Sequence, residues 1–176
     1  MPLERLSAAW REQYVQDATA VERTGLSDEC VFCDLLSDGA CESSGIITVT
    51  PFSFLIINAF PYGSGHVLVL PRRHVQGLED LSDEEAVDFF ALLRRSVATL
   101  KETYGPDGLN VGFNLGRAAG AGIPQHLHGH IVPRWNGDTN FMTTLGETRV
   151  LPESLASTWS KISAVANGSG VTPSAN

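Results

Sequence analysis

The sequence predicts an α+β domain built on an antiparallel sheet of about five strands, with one main helix and a C-terminal helix. Three β-like runs lie at residues 46–50, 53–58 and 66–70, and the last two are separated by a loop rich in proline and glycine. Consecutive runs bounded by turn residues are typical of an antiparallel meander. Two further strand patterns lie after the main helix, within residues 109–134.

The main helix is predicted by a capping box and an apolar stripe. Ser82 and Glu85 have the S-x-x-E spacing, in which each side chain bonds the other residue's backbone N–H at a helix N-terminus. Apolar residues then recur at helical spacing, at Ala86, Phe89, Phe90, Leu93, Val97 and Leu100. Gly105 is expected to end this helix, and the C-terminal helix is predicted over residues 153–166.

The two strands after the main helix differ in pattern. In the first, apolar residues alternate with small or polar ones from Leu109 to Asn114, with Val111 on the apolar side, which predicts a half-buried strand. A glycine-rich loop over residues 116–124 follows. The histidine-rich run after this loop is predicted to be extended to about Arg134.

The two ends of the chain are predicted to lie outside the main domain. Residues 1–25 are expected to form a helical extension that docks on the domain or on a second subunit, because apolar side chains recur there at helical spacing, at Leu3, Leu6, Trp10 and Tyr14. Residues 26–166 are assigned to the single domain that 176 residues accommodate. Residues 167–176 have the composition of a disordered tail.

Composition and charge restrict the function classes. The net charge of -8 and the pI of about 5.0 argue against a broad electrostatic surface for DNA or RNA, so phosphate binding has to be local. The sequence holds no apolar run of about 18 residues, which argues against a membrane span. Because the first residues also lack the basic and apolar regions of a secretory signal, a cytoplasmic location is expected.

The run from Gln125 to Val132 holds three of the five histidines of the chain. In an extended backbone, the two-residue period places His126, His128 and His130 on one face. Imidazole is suited to nucleophilic, acid–base and metal-binding roles near neutral pH. From the residues alone, three interpretations stay open: a solvent-exposed polar face, a metal site formed by all three, or catalysis with divided roles.

This run resembles the His-φ-His-φ-His-φ-φ motif of the histidine triad family, in which φ is apolar, and the resemblance extends over most of the chain. It implies the α+β fold of that family and a homodimer. It also implies that His128 attacks a nucleotide α-phosphate and forms a nucleotidyl-histidine intermediate, while His130 orients the His128 ring or binds phosphate oxygens. Gly129 departs from the apolar pattern and is expected to allow the close approach of another strand or a ligand.

A segment before the main helix extends the resemblance to nucleotide contacts. Asn58 and His66 stand eight residues apart around a Pro-Tyr-Gly-Ser-Gly loop. The resemblance implies that Asn58 binds the ribose hydroxyls and that His66 supports the catalytic histidine. Phe60 is expected to cover the base, with a place in the core as the alternative.

The loop before the histidine run is the least regular part of the resemblance. Asn114-Leu115-Gly116 matches the family's Asn-x-Gly, which implies that Asn114 and Gly116 contact phosphate or the leaving group. The family's hydroxyl residue that serves the leaving group is absent here. Backbone N–H groups of the loop, Arg117 or Gln125 are expected to supply this contact, and a flexible loop without a phosphate role is the alternative.

Cys30 and Cys33, two of only three cysteines, form a C-x-x-C pair. Such a pair fits a redox site, half of a metal site or neither, and an odd cysteine count argues against an extracellular disulfide framework. The resemblance to zinc-containing members of the family implies that His74 and His126 complete a closed structural zinc site. No organic cofactor is expected, and Cys41 is expected to be an ordinary thiol.

Within the family, the chain looks most similar to bacterial diadenosine tetraphosphate phosphorylases. These enzymes release the nucleotidyl-histidine with phosphate, giving ADP and ATP. Two alternatives remain: a dinucleoside polyphosphate or nucleoside phosphoramidate hydrolase that uses water, and a nucleotide-binding regulatory protein with little turnover. The expected partners are an adenine nucleotide or dinucleoside polyphosphate and a second copy of the chain, without nucleic acid or membrane.

Overall fold

A five-stranded antiparallel sheet forms the centre of the structure. The computed structural model describes residues 30–37, 39–138 and 153–168. The strands are β1 (Ile46–Val49), β2 (Ser53–Ile57), β3 (Val67–Pro71), β4 (Gly108–Phe113) and β5 (Gly129–Arg134). They are arranged in the order β1-β2-β3-β5-β4 with antiparallel pairing throughout. The predicted α+β fold with its meander is therefore confirmed.

Three α-helices lie in the described part of the chain: α1 (Val31–Ser37), α2 (Asp83–Tyr104) and α3 (Leu155–Gly168). The predicted capping box begins α2, since Ser82 Oγ accepts from the Glu85 N–H and the Glu85 carboxylate accepts from the Ser82 N–H. Gly105, in the left-handed conformation, ends this helix as predicted. The sequence pattern did not predict α1, and α3 ends two residues later than expected.

The two faces of the sheet carry different helices, and the inner strands β2 and β3 are buried on both faces. One face packs against α2 and α3 in a core that includes Leu55, Val69, Phe89, Leu100 and Ile162. The other face packs against α1 in a second core that includes Phe32, Phe54, Ile56, Leu68 and Leu70. On the first face, Trp159 Nε1–H also donates to Ile46 O at 3.0 Å and ties α3 to β1.

The histidine run is less extended than predicted, because β5 begins only at Gly129. Gly129 is the first residue of β5 and already pairs with both neighbouring strands, opposite Val69 of β3 and Phe113 of β4. Before it the backbone leaves the sheet, and the Leu127 N–H donates to Val75 O at 2.7 Å. The prediction of a strand from residue 126 is therefore wrong.

The edge strand β4 is more exposed than its alternating pattern predicted. In the described residues it pairs with β5 alone. Val111 was expected on a buried side but is 45% exposed. Val87 and Phe90 of α2 are exposed as well. Edge position explains the difference, since alternation predicts burial only where a second layer covers the strand.

The predicted N-terminal helical extension lies outside the described residues, as do residues 169–176 of the predicted tail. The first two residues of that tail form the end of α3. Across the ranges that the structure describes, no helix combines the length and the apolar character needed to cross a membrane.

Candidate active site and metal cluster

Three histidines converge on the sheet face that carries α1. Directly opposed residues of paired strands point to the same face, and His130 lies opposite Leu68, which packs against α1. His66 directly precedes β3, and its Nε2 lies 3.0 Å from His130 Nδ1. The His128 ring lies beside His130, with 5.0 Å between ring centroids. The predicted residues His66, His128 and His130 therefore form one cluster.

The backbone of a neighbouring residue fixes the His128 ring. His128 Nδ1–H donates to His126 O at 2.7 Å, and Phe32 packs against the ring at a centroid distance of 5.7 Å. A neutral imidazole with its proton on Nδ1 has its lone pair on Nε2. Burial lowers the pKa of His128, which favours the neutral form. His128 thus presents the unprotonated nitrogen that a nucleophile needs.

A chain of hydrogen bonds fixes the other two imidazoles. Tyr62 N–H donates to His66 Nδ1 at 3.0 Å, so a neutral His66 carries its proton on Nε2. His66 Nε2–H then donates to His130 Nδ1, which leaves the proton of a neutral His130 on Nε2. This nitrogen is buried, without a hydrogen-bond partner among the described residues. Burial and then the nearby His128 lower the pKa of His130 to about 4, which favours the neutral ring.

His128 and His130 therefore have opposite hydrogen-bonding capacities although they are neighbours. His128 offers a lone pair, and His130 offers an N–H group. A phosphate group between them would meet an attacking nitrogen for its phosphorus and a donor for a charged oxygen. The interpretation of the run as a solvent-exposed polar face is wrong, because His126 and His128 are only 1% and 7% exposed.

His126 belongs to a second cluster with Cys30, Cys33 and His74, so a metal site formed by all three histidines of the run is also excluded. The ligand atoms of these four side chains all lie within 4.8 Å of one another. His126 Nδ1 is 3.3 Å from Cys30 Sγ and 3.7 Å from Cys33 Sγ, and His74 Nδ1 is 3.4 Å from Cys33 Sγ. The four residues that the resemblance implied are thus brought together.

The geometry and chemistry of this cluster fit a zinc ion. Zn–S bonds of about 2.3 Å and Zn–N bonds of about 2.0 Å separate S and N by about 3.5 Å in a tetrahedron, near the observed distances. His126 Nε2–H donates to Pro71 O at 2.9 Å, which leaves its Nδ1 lone pair facing the thiols. Burial and then Cys30 raise the pKa of Cys33 to about 11, an effect that a bound cation would reverse.

The loop between β2 and β3 carries the predicted ribose and base contacts. Asn58 is half-buried beside His66, with Nδ2 at 3.3 Å from both ring nitrogens, and its Oδ1 accepts from the Phe60 N–H at 2.9 Å. The Phe60 side chain is 86% exposed, so the alternative of a place in the core is wrong. Asn58 thus lies at the histidine cluster, and Phe60 projects from the same loop.

The loop before the histidine run is organised by its own backbone. Asn114 Nδ2 donates to Gly120 O at 3.5 Å, and the N–H groups of Ala119 and Ala121 donate to Gly116 O. Gly116 has a φ of 79°, which few other residues adopt. Gln125 is half-buried next to the metal-cluster residue His126. The phosphate contacts expected of Asn114, Gly116 and Gln125 therefore stay predictions.

Sequence reasoning missed two aromatic residues at the site. Phe32 lies between the two clusters, with ring centroids 5.6 Å from His126 and 5.7 Å from His128. Tyr62 lies 4.7 Å from His66 and 5.9 Å from His130 between ring centroids. Each stands beside residues that were identified, but neither is part of a periodic pattern, so only the folded chain reveals the contacts.

Comparison with known proteins identifies the family of this chain and several relatives. A family model described as HIT domain matches residues 42–137. The chain is 36% identical over 160 residues to AP-4-A phosphorylase from Mycobacterium tuberculosis, with 89% of this chain and 80% of that protein covered. It is also 36% identical over 89 residues to the asymmetrical bis(5'-nucleosyl)-tetraphosphatase of Schizosaccharomyces pombe, with 51% and 48% covered.

A solved structure is similar over nearly all of its own length. It is the crystal structure of a Zn-bound histidine triad family protein from Mycobacterium smegmatis, which is 29% identical with a TM-score of 0.64. The similarity covers 80% of this chain and 94% of that chain.

Proposed function

Because the chain belongs to the HIT domain family, we propose that it is an enzyme that cleaves adenine dinucleotides such as diadenosine tetraphosphate at an α-phosphate. The observation that carries this proposal is the pairing of His128 and His130. The lone pair of the buried His128 ring and the buried N–H group of His130 lie on adjacent imidazoles, which suits in-line attack on a charged phosphorus centre.

In the proposed first step, His128 Nε2 forms a bond to the α-phosphorus while the bridging P–O bond to the leaving polyphosphate breaks. With diadenosine tetraphosphate, the leaving group is ATP, and an adenylyl group remains on His128. The His126 carbonyl holds the Nδ1 proton as positive charge develops on the ring. His130 Nε2–H is placed to donate to a phosphate oxygen, and His66 holds His130 in that orientation.

The remaining site residues take supporting roles in this proposal. Asn58 binds the ribose hydroxyls, and Phe60 stacks on a base from the exposed end of the loop. Asn114 and Gly116 contact phosphate or the leaving group, and Gln125 supplies a further contact. The proposed ribose and base contacts follow from the position of their loop beside the histidine cluster.

In the second step, we favour inorganic phosphate over water as the group that releases the adenylyl-histidine. This preference depends on the similarity to the mycobacterial AP-4-A phosphorylase, which covers 89% of this chain. Phosphate attack breaks the P–N bond, returns the lone pair to His128 and gives ADP. Water in its place gives AMP, the result for a hydrolase.

We propose that Cys30, Cys33, His74 and His126 bind one structural zinc ion and that no organic cofactor takes part. Two thiolates and two imidazoles close the coordination shell, so the metal supplies fold stability and no open position for substrate. His126 would then link the metal to the nucleophile, because its carbonyl accepts from His128 Nδ1–H. A cytoplasmic location is part of this proposal, since thiolate ligands survive best in a reducing compartment.

We also propose a homodimer that uses the edge strand β4 and the adjacent face of α2. Val87, Phe90 and Val111 expose apolar surface there, at 72%, 48% and 45%. β4 contains neither proline nor lysine, the residues that commonly block edge pairing. Light scattering at working concentration should give twice the chain mass, and a monomer would contradict the proposal.

Product analysis with diadenosine tetraphosphate tests the proposed reaction. The zinc-loaded protein is incubated with and without inorganic phosphate, beside the His128→Asn variant. ADP and ATP that form only with phosphate support the phosphorylase, and AMP in both samples identifies a hydrolase. Undiminished turnover by His128→Asn contradicts the nucleophile, and no product from the unaltered protein contradicts an enzyme of this class.

A further inference from the structure

The ring of Tyr62 covers the two imidazoles that form the donor side of the site. Its centroid lies 4.7 Å from that of His66, and it stacks on His130 at 5.9 Å with an interplanar angle of 15°. These separations lie within the range of aromatic ring contacts. Tyr62 itself is 51% exposed, whereas His66 is 1% exposed. The ring therefore lies on the solvent side of the buried His66, while His130 is half-buried with its Nε2 atom enclosed.

Water access matters here because the His66–His130 hydrogen bond requires two neutral rings. His66 Nδ1 already accepts from the Tyr62 backbone N–H, so His66 can face His130 only with an N–H group. If His130 gained a second proton, two N–H groups would oppose each other across the 3.0 Å contact. Exclusion of water disfavours that charged form.

We propose that Tyr62 is a positioning residue for the transfer reaction, whose ring shields the His66–His130 hydrogen bond from water and so keeps His130 Nε2–H directed at the phosphate. This inference rests on the proposed function for the role of His130. Tyr62 acts through the two imidazoles and needs no contact with substrate. Its hydroxyl is not part of the argument, so phenylalanine should replace it.

Among the residues that the structure describes, the other titratable groups near the pair do not account for its protonation state. His128 faces His130 from the same strand region, and it is itself held neutral by burial. Glu153 lines a small cavity with Asn58 and His66, but its carboxylate accepts from Tyr104 and Lys161. The Glu153 charge is thus paired within its own cluster. The Tyr62 ring is the group beside the pair whose shielding a side-chain substitution can remove.

Imidazole nitrogen NMR and pH–rate profiles test the proposal with Tyr62→Ala and Tyr62→Phe. In the zinc-loaded protein and in Tyr62→Phe, His66 and His130 should both carry their proton on Nε2, and His130 should titrate below pH 5. In Tyr62→Ala, the pKa of His130 should rise by about one unit, and the acid limb of kcat should move by the same amount. Phe52→Ala removes a 43% exposed aromatic residue from the β1–β2 turn and should change neither readout.

Two results would overturn the proposal. One is unchanged titration of His130 in Tyr62→Ala, and the other is an equal shift in Tyr62→Phe, which would assign the effect to the hydroxyl. Zinc content and thermal unfolding identify any variant that fails to fold. If the unaltered protein shows no turnover, the proposed function fails, but the NMR titration still decides the role of Tyr62.

Discussion

Replacement of Gly129 by alanine should destabilise the protein although alanine normally suits a strand better than glycine. Gly129 lies between His128 and His130, and a Cβ atom there would be 2.9 Å from Phe113 Cε1 and 3.3 Å from Phe89 Cζ. Both distances are shorter than ordinary carbon contacts, so the aromatic rings or β5 must move. The close approach expected at this glycine from the sequence is thus made by two phenylalanines.

A glycine on the neighbouring strand serves as the control for the size of this loss of stability. Gly112 of β4 lies opposite His130, and a Cβ there meets nothing within 4 Å. Overpacking lowers the free energy of unfolding by about 1–3 kcal/mol. Replacement of a flexible glycine by alanine raises it by about 0.5–1 kcal/mol at either site. Gly129→Ala should therefore lower the free energy of unfolding by up to about 2.5 kcal/mol. Relative to Gly112→Ala, the deficit should be about 1–3 kcal/mol, because the backbone gain cancels.

Urea unfolding of the two variants measures this difference. The midpoint should fall for Gly129→Ala with an unchanged slope, and the melting temperature should lie about 2–12 °C below that of Gly112→Ala. Turnover should fall as well, since the displaced strand carries His130. Equal stability of the two alanine variants would refute the packing argument. Phe113→Leu should partly relieve the effect of Gly129→Ala, which a double-mutant cycle detects.

Three further predictions follow from other contacts. Glu85 accepts from both Arg73 and the Ser82 backbone, and these bonds lower its pKa from 4.5 to about 2. The stabilising effect of the Glu85 carboxylate is therefore present above pH 4.5 and lost as the pH falls towards 2. Unfolding measured between these pH values should show a smaller loss of stability for Glu85→Gln than for the unaltered protein. Trp159→Phe removes the hydrogen bond to Ile46 O and should lower the free energy of unfolding by about 0.5–1.5 kcal/mol, measured by urea denaturation. Cys30→Ser should reduce bound zinc far below one equivalent in metal analysis, and near-equimolar zinc in this variant would contradict the proposed ligand set.

Local signals in the sequence predicted α2 well. Its start depends on Ser82 and Glu85, which bond to each other's backbone, and its end depends on Gly105, which adopts the left-handed conformation. Each of these signals acts within one turn of helix, so neighbours along the chain are sufficient. The start of β5 could not be predicted in this way. It depends on where the pairing with β3 and β4 ends, which is decided by residues distant in sequence.

In the candidate site, too, local sequence motifs predicted some features, and contacts between distant residues decided the others. The histidine motif and the C-x-x-C pair named residues that the fold does bring together, in two clusters linked through His126. The protonated nitrogen of each imidazole was not predictable, because it depends on backbone groups such as the Tyr62 N–H. Phe32 and Tyr62 gave no signal, since a single aromatic residue in a short helix or loop is compatible with many environments.

Detection of the covalent intermediate tests the central claim most directly. The zinc-loaded protein is mixed with diadenosine tetraphosphate without phosphate, quenched within milliseconds and mapped by peptide mass spectrometry. We predict an adenylyl group on His128, its disappearance when phosphate is added before the quench, and no adduct in His128→Asn. An adenylyl group on a different residue, or full turnover by His128→Asn without any adduct, would contradict the account.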